Sequence, residues 1–244
     1  MTTPTYVYGL VPAGAEVPTD LRGMGPSGRI STVRHGRVAA LVSDVPEDRP
    51  LGTRDDLVAH ETVVDTVAAR TTILPMRFPA VVREQGVVEE LLAPHEEYIA
   101  RALETLEGLQ QFTLKGTYDE ATVLREVLEA DEEIAELRAR VAELPEDAAY
   151  YDRVRLGELV VAALEAKREV DAGGILERLT PSVADVVTHP PTSPEQVLSV
   201  ALLVDRERTA DFENAVEDLG RGLAGRIHLR LLGPLAPYDF VPEE

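Results

Sequence analysis

Short apolar segments near the N-terminus have the composition of β-strands. Tyr6–Val11 combines aromatic and β-branched residues and precedes a stretch rich in turn residues. Residues 29–33 and 37–45 have a similar character, and Gly36 lies between them, where a tight turn requires a positive φ. The pattern therefore predicts one strand followed by a β-hairpin.

Apolar residues then recur at helical spacing as far as Gly108. Thr53 is placed to cap a first helix. Pro94 is expected to begin or to kink the last one, because proline lacks the amide that a helix interior requires. The apolar positions of the three predicted helical stretches are Leu57, Val64, Val67 and Ala68; Val88, Leu91 and Leu92; and Ile99, Leu103 and Leu106. Strands followed by helices predict an N-terminal α+β domain over residues 1–109.

The second half opens with a strand over residues 111–118 and continues with two helical stretches. Apolar residues of the first stretch are spaced alternately four and three apart, which is typical of the narrow seam between paired helices. The two seams are Val123, Val127, Ala130, Ile134, Leu137, Val141 and Leu144; and Leu156, Leu159, Ala163 and Val170. We predict an antiparallel helical hairpin over about residues 120–170.

The remaining segments complete a known order of elements. Strands are predicted at residues 183–187, 197–204 and 226–233, and a helix at about 206–223. Apart from the first helix of the hairpin, the order is βαββαβ, that of the ferredoxin-like fold. The expected fold class is α+β with two domains, the second being a ferredoxin-like domain over residues 110–244 with the hairpin as an insertion.

Composition narrows the classes of function. The 44 acidic and 24 basic residues give a net charge of −20, which disfavours nucleic acid and anionic membranes as partners. The chain has no cysteine, so disulfides, thiolate nucleophiles and cysteine-based metal sites are excluded. Neither an export signal nor a long apolar segment is present in the sequence. We expect a soluble, cytoplasmic protein.

Candidate chemical motifs are weak. Gly23–Gly28 matches the dinucleotide pattern G-x-G-x-x-G, but Pro26 interrupts it and neither the required strand nor the required helix flanks it, so a plain turn is favoured. His60 and His95 each precede a glutamate, yet neither has a second histidine one helical turn away. A hydrogen-bonded core histidine is favoured over a metal ligand at both positions. The sequence predicts no catalytic, cofactor or metal site and no enzymatic activity.

Arg77 is the most unusual residue of the chain. It lies between Pro75 and Pro79 in segment 71–82, where most other residues are of the kind expected in a buried strand. A buried arginine needs a fixed acceptor. One explanation is a structural ion pair with a carboxylate such as Glu61, and this is the favoured one. The other is a place in a surface that binds a partner.

Several segments together resemble the gas vesicle accessory proteins of the F/L family. The order and spacing match over nearly the whole chain, and the run "LPMRF" and the tail Gly-Pro…Pro-Tyr-x-Phe are the most specific parts. The chain departs from the family at Pro79, where glycine is frequent, and at Gln110 or Gln111, where glutamate is frequent. The segments that carry the resemblance are "YVYGLV", "HETVVDTV", "ILPMRFPAVV", "LETLEGLQQFTLKGTYDE" and "LLGPLAPYDFV".

The resemblance implies an accessory or minor structural protein of gas vesicles, which are hollow protein shells formed in the cytoplasm. The partners it implies are the hydrophobic major shell protein and other accessory proteins, and the implied role is to bind the shell protein and help nucleation. Residues expected to serve an interface or the structure are Arg77, Phe78, Tyr238 and Phe240. The alternatives are a small-molecule sensor or an enzyme built on the ferredoxin-like fold.

Overall fold

The chain forms a mixed α/β structure with two sheets and two compact units. The computed structural model describes residues 4–24, 27–46, 49–84, 86–145 and 148–242. Unit 1 comprises residues 1–112, 202–209 and 232–244, and unit 2 comprises residues 113–201 and 210–231. The sequence-based boundary between residues 109 and 110 stays a prediction.

Unit 1 is built around a five-stranded antiparallel sheet. β1 (Pro4–Pro12) pairs with β3 (Val38–Asp44), and β3 pairs with β2 (Ser31–His35), which confirms the predicted hairpin. Gly36 closes the turn with a φ of +52°. The short strands β4 (Leu74–Pro75) and β5 (Val81–Arg83) both pair with β1.

Both faces of this sheet are covered. Tyr6, Tyr8 and Leu41 belong to one buried cluster, which also includes residues of α1 (Arg54–Ala68). Alternate residues of the same strands, such as Val7 and Ala40, belong to a second cluster with a helical turn of π type (Val87–Leu92) and α2 (Glu96–Thr105). Burial on both faces explains why β1 and β3 are continuously apolar and do not alternate.

The buried face of α1 differs from the predicted one. Thr53 is the N-cap as expected, and its side chain accepts a hydrogen bond from the Asp56 amide. Leu57, however, is 40% exposed, whereas Asp56 and His60 are buried. Hydrophobicity alone misplaced the first turn, because a capping carboxylate and a hydrogen-bonded imidazole occupy the buried positions there.

The second sheet has the strand order β7-β8-β6-β9. Its strands are β6 (Leu109–Tyr118), β7 (Asp185–His189), β8 (Gln196–Asp205) and β9 (Ile227–Leu235), close to the predicted positions. α6 (Thr209–Gly222) lies between β8 and β9 in the chain. Single 3₁₀ turns occur at Thr180–Ser182, Arg206–Arg208 and Tyr238–Phe240.

The helical insertion has three helices, not two. α3 (Glu120–Ala130) and α4 (Glu132–Glu143) are separated at Asp131, which has an extended backbone and caps α4. α5 (Tyr150–Leu179) contacts both and continues beyond the predicted end. Val127 and Ile134 are buried as expected, but Ala130, Leu144 and Val170 are exposed, Val170 to 75%, so their assignment to the seam was wrong.

None of the helices within the described residues has both the length and the apolar character needed to span a membrane.

Candidate functional site

Arg77 lies in a loop that separates two short strands of unit 1. The Met76 amide donates to the Tyr8 carbonyl and the Val7 amide donates to the Ala80 carbonyl, both at 2.9 Å. Segment 71–82 is therefore held to β1 on either side of residues 77–79, and the Phe78–Pro79 bond is cis. Segment 71–82 therefore does not form the single buried strand that its composition suggests.

The loop leaves Arg77 exposed. Within the described residues Arg77 forms no ion pair, and Glu61 is exposed as well. The predicted structural pair between Arg77 and Glu61 is therefore wrong in this structure. An exposed guanidinium needs no protein acceptor because water solvates it, so the physical argument for a buried partner disappears.

Phe78 and Tyr238 belong to an aromatic cluster around His60. The Phe78 ring lies 5.8 Å from the His60 ring and 6.3 Å from the Tyr6 ring, measured between centroids. His60 Nδ1 is 2.9 Å from the Tyr6 hydroxyl, and Nε2 is 3.0 Å from the Tyr238 hydroxyl. The Tyr8 ring stacks on the imidazole at 5.8 Å. These contacts make His60 the centre of the cluster.

The two hydrogen bonds of His60 are compatible with a neutral imidazole, the form that burial favours. A neutral imidazole donates from one ring nitrogen and accepts at the other, so one tyrosine hydroxyl accepts and the other donates. Burial lowers the pKa of His60 and raises the pKa of Tyr6 and Tyr238. With 1% exposure and both nitrogens occupied, His60 has the core role that its sequence context favoured.

Segment 232–242 is attached to the rest of unit 1 by further polar contacts. The Ala236 amide donates to Asp65 Oδ1 at 3.0 Å. Gln111 Nε2 donates to Asp239 Oδ2 at 2.6 Å, and the Asp239 amide donates back to Gln111 Oε1 at 3.1 Å. Phe240 packs against the core cluster that contains α2. The segment is thus bound through its backbone as well as its side chains.

Of the four sequence-predicted residues, the structure brings Phe78 and Tyr238 together around His60. Phe240 belongs to the other cluster of unit 1, and Arg77 is exposed in its loop. Their roles in an interface or in the structure stay predictions.

Sequence reasoning missed Asp65 and Gln111 as partners of the C-terminal segment, and Tyr6 as a partner of His60. Tyr6 was assigned only to a strand, and Asp65 lies among the apolar residues of α1. A signal was present in the sequence, because these polar side chains lie on strand or helix faces that are otherwise apolar. A polar group that faces the core needs a hydrogen-bond partner.

A second polar cluster of unit 2 joins β6, α3 and α5 to Arg226. Arg226, just before β9, donates from Nε to Glu126 of α3 at 2.9 and 3.0 Å and from its terminal nitrogen to Asp171 of α5 at 2.5 Å. Asp171 also accepts from the Tyr118 hydroxyl at 2.6 Å, and Lys167 lies 2.7 Å from Glu126. The hydrogen bonds that Arg226 donates to Asp171 and Glu126 raise its pKa. This cluster attaches the helical insertion to the sheet.

The described residues contain no group of three or more histidines and carboxylates arranged to hold a metal ion. The buried carboxylate of Asp56 has an electrostatic partner instead. Arg49 donates to its two oxygens at 2.6 and 2.7 Å, and this interaction is the main reason that the pKa of Asp56 is lowered. In the clusters around His60 and Arg226, the polar groups pair with each other. Such pairing stabilises the folded structure.

The His60 contacts predict a loss of stability on acidification. Because the folded-state pKa of His60 is lowered, the folded protein binds fewer protons than the unfolded chain below the ordinary histidine pKa of about 6.5. The contribution of His60 to the free energy of unfolding is complete above that pH. It decreases as the pH falls, with a limiting slope of about 1.4 kcal/mol per pH unit. Urea unfolding of the wild type and of His60→Gln, at about pH 7.5 and 5.5, isolates this group. An equal pH dependence in the two proteins would contradict the assignment.

Comparison with known proteins identifies relatives over the full length. Residues 4–242 match the family model described as gas vesicle synthesis protein GvpL/GvpF. The chain is 33% identical over 240 residues to gas vesicle protein F of a Streptomyces species, covering 97% of this chain and 99% of the relative. The crystal structure of GvpF from Anabaena sp. PCC7120 is similar, with a TM-score of 0.85, 22% identity and complete coverage of both chains. GvpF from Microcystis aeruginosa has a TM-score of 0.80 and 23% identity, with 99% of this chain and 100% of that chain covered.

Proposed function

The chain belongs to the gas vesicle synthesis protein GvpL/GvpF family, and we propose that it is an assembly factor that binds the hydrophobic shell protein and helps to nucleate the vesicle. The observation that carries the proposal is the match of residues 4–242, which includes both units. We place the protein in the cytoplasm and at the gas vesicle, with other accessory proteins as further partners.

The exposed loop at Arg77 supports a protein-binding role for this residue. Its guanidinium forms no ion pair within the described chain, while Phe78 beside it is held by the aromatic cluster. A fixed backbone that presents an unpaired arginine suits recognition, because little conformational freedom is lost on binding. We assign Arg77 to an interface, and Phe78, Tyr238 and Phe240 to the structure that supports it.

The helical insertion offers a second surface. Exposed large apolar side chains are concentrated on α5, with Tyr150 63% exposed, Tyr151 84% and Val161 54%. Apolar groups clustered on a soluble protein commonly mark a contact with another protein. On the basis of this concentration, we propose that the insertion recognises another vesicle protein.

The element order also supports a ferredoxin-like fold for the C-terminal part. The helices α3 to α5 lie between β6 and β7, and α6 lies between β8 and β9, with the strand order β7-β8-β6-β9. We infer a βαββαβ unit with α3 and α4 as additions. No feature of the described residues favours the sensor or enzyme alternatives.

A charge reversal at Arg77 tests the assembly function. We expect Arg77→Glu to abolish retention of the shell protein in a pull-down and to reduce vesicle formation in cells. Because Arg77 is exposed, the free energy of unfolding of the variant should differ from that of the wild type by no more than about 0.5 kcal/mol. Circular dichroism and urea unfolding check that the variant is folded.

Arg70→Glu is the matched control, since Arg70 is an exposed arginine of the same unit just beyond α1. It should bind the shell protein as the wild type does. Equal retention by the wild type and Arg77→Glu would remove Arg77 from the interface. If the wild-type protein retains no shell protein, the proposed binding function itself is wrong.

A further inference from the structure

β9 is an edge strand. In the order β7-β8-β6-β9 it pairs with β6 on one side, and no strand of the described residues pairs with its other side. The outer edge therefore presents backbone amide and carbonyl groups that an additional strand can use. Such groups recognise an extended backbone and not a helix, which limits the kind of partner.

One face of β9 lines an apolar groove in unit 2. Ile227 is buried, and Leu229 and Leu231 are half-buried on the same face. They line a groove of about 770 Å³ together with Val216 of α6. The carboxylates of Asp119, Glu213 and Glu217 and the guanidinium groups of Arg221 and Arg226 also border this groove, so its apolar part is the surface of β9 and Val216. The groove can receive the apolar side chains of a strand added at this edge, because alternate residues of a strand share one face.

The opposite face of β9 is basic. His228 and Arg230 are both exposed, and neither forms an ion pair within the described residues. Lys115 of β6 belongs to this face too, since a Cβ on the adjacent Gly116 would lie 3.3 Å from Leu229 on the groove face. Within the described residues none of the three side chains forms an ion pair, and the two cations Lys115 and Arg230 on one face contrast with the net charge of −20 of the whole chain.

We propose that the outer edge of β9 and the adjoining groove bind an extended segment of another protein in which acidic and apolar residues alternate. The apolar side chains enter the groove, and the acidic ones lie opposite His228 and Arg230. A second copy of this chain provides no acidic partners for His228 and Arg230. An antiparallel β9–β9 pair would place these basic residues opposite each other. The proposal is independent of the shell-protein function at Arg77.

A pair of synthetic peptides tests this surface on the full-length protein. The probe is a short acetylated peptide of alternating valine and glutamate, and the control peptide has lysine in place of every glutamate. Amide hydrogen exchange is followed by mass spectrometry with each peptide at millimolar concentration. We expect the glutamate peptide to slow exchange at residues 227–231 and the lysine peptide to leave it unchanged.

Charge reversal on the protein provides the second arm. Opposite charges in cross-strand pairs contribute modestly, so Arg230→Glu should weaken binding of the glutamate peptide by about fivefold and favour the lysine peptide. Arg178→Glu, an exposed arginine of α5, is the matched control and should leave binding unchanged. Circular dichroism verifies the fold of both variants.

The other outcomes overturn the proposal. Protection by neither peptide leaves His228 and Arg230 as polar residues that keep the edge unpaired. Equal protection by both peptides shows pairing without charge selection. Protection that grows with protein concentration in the absence of peptide identifies a second copy as the occupant.

Discussion

Replacing His60 with alanine should lower the free energy of unfolding by about 3 kcal/mol. The substitution removes an imidazole from a site that is 1% exposed and leaves the Tyr6 hydroxyl without its partner at 2.9 Å. The substitution also removes the hydrogen bond between His60 and the Tyr238 hydroxyl, which helps to attach segment 232–242 to the rest of unit 1. Urea unfolding at neutral pH measures the change.

Tyr6→Phe separates the hydrogen bond from the packing. It keeps the ring and removes only the hydroxyl, so we expect a loss of about 1–2 kcal/mol. His228→Ala, at an exposed position, should change stability by less than about 0.5 kcal/mol. If His60→Ala costs no more than His228→Ala, the cluster around His60 does not stabilise unit 1.

The second large effect is expected at Arg226. Its replacement by alanine leaves Asp171 and Glu126 without their shared cation, although Tyr118 and Lys167 still contact them. Buried pairs that lose one member are destabilised by about 3–5 kcal/mol, and partial exposure of the Arg226 side chain reduces our expectation to about 2 kcal/mol. Thermal or urea unfolding provides the measurement.

Arg221→Ala is the control for Arg226→Ala. Arg221 also pairs with carboxylates, Glu217 and Asp218, but its side chain is 70% exposed. Exposed pairs contribute about 0–1 kcal/mol, so the two arginines should differ clearly. Similar losses at both positions would show that the contacts to α3 and α5 do not attach the insertion to the sheet.

Local sequence patterns predicted most of the elements because burial imposes a regular spacing on apolar residues. The patterns failed where a polar group governs the backbone. The seven-residue interval from Val127 to Ile134 fits one continuous helix, yet Asp131 ends α3 and caps α4. The motif of an aspartate followed by two glutamates is itself a helix start, and it outweighs the continuity of the seam.

The candidate site could be predicted only in part, because its partners are distant in the chain. His60 and Tyr238 are 178 residues apart, and no periodicity connects them. The composition of segment 71–82 predicted a buried strand with a buried arginine. Its pairing with β1 at two separate places leaves residues 77–79 in a loop, and that pairing is a long-range property that a local pattern does not contain.

Attachment of segment 232–242 to unit 1 has a consequence for the order in which the protein is made. The ribosome synthesises all of unit 2 before it reaches Tyr238 and Asp239, whose contacts with His60 and Gln111 complete unit 1. The first 112 residues therefore emerge before Ala236 and Tyr238, the partners of Asp65 and His60, have been made. Until translation has passed residue 239, unit 1 lacks the contacts of its C-terminal segment although all strands of its first sheet are already made, and an N-terminal fragment expressed alone lacks these contacts too.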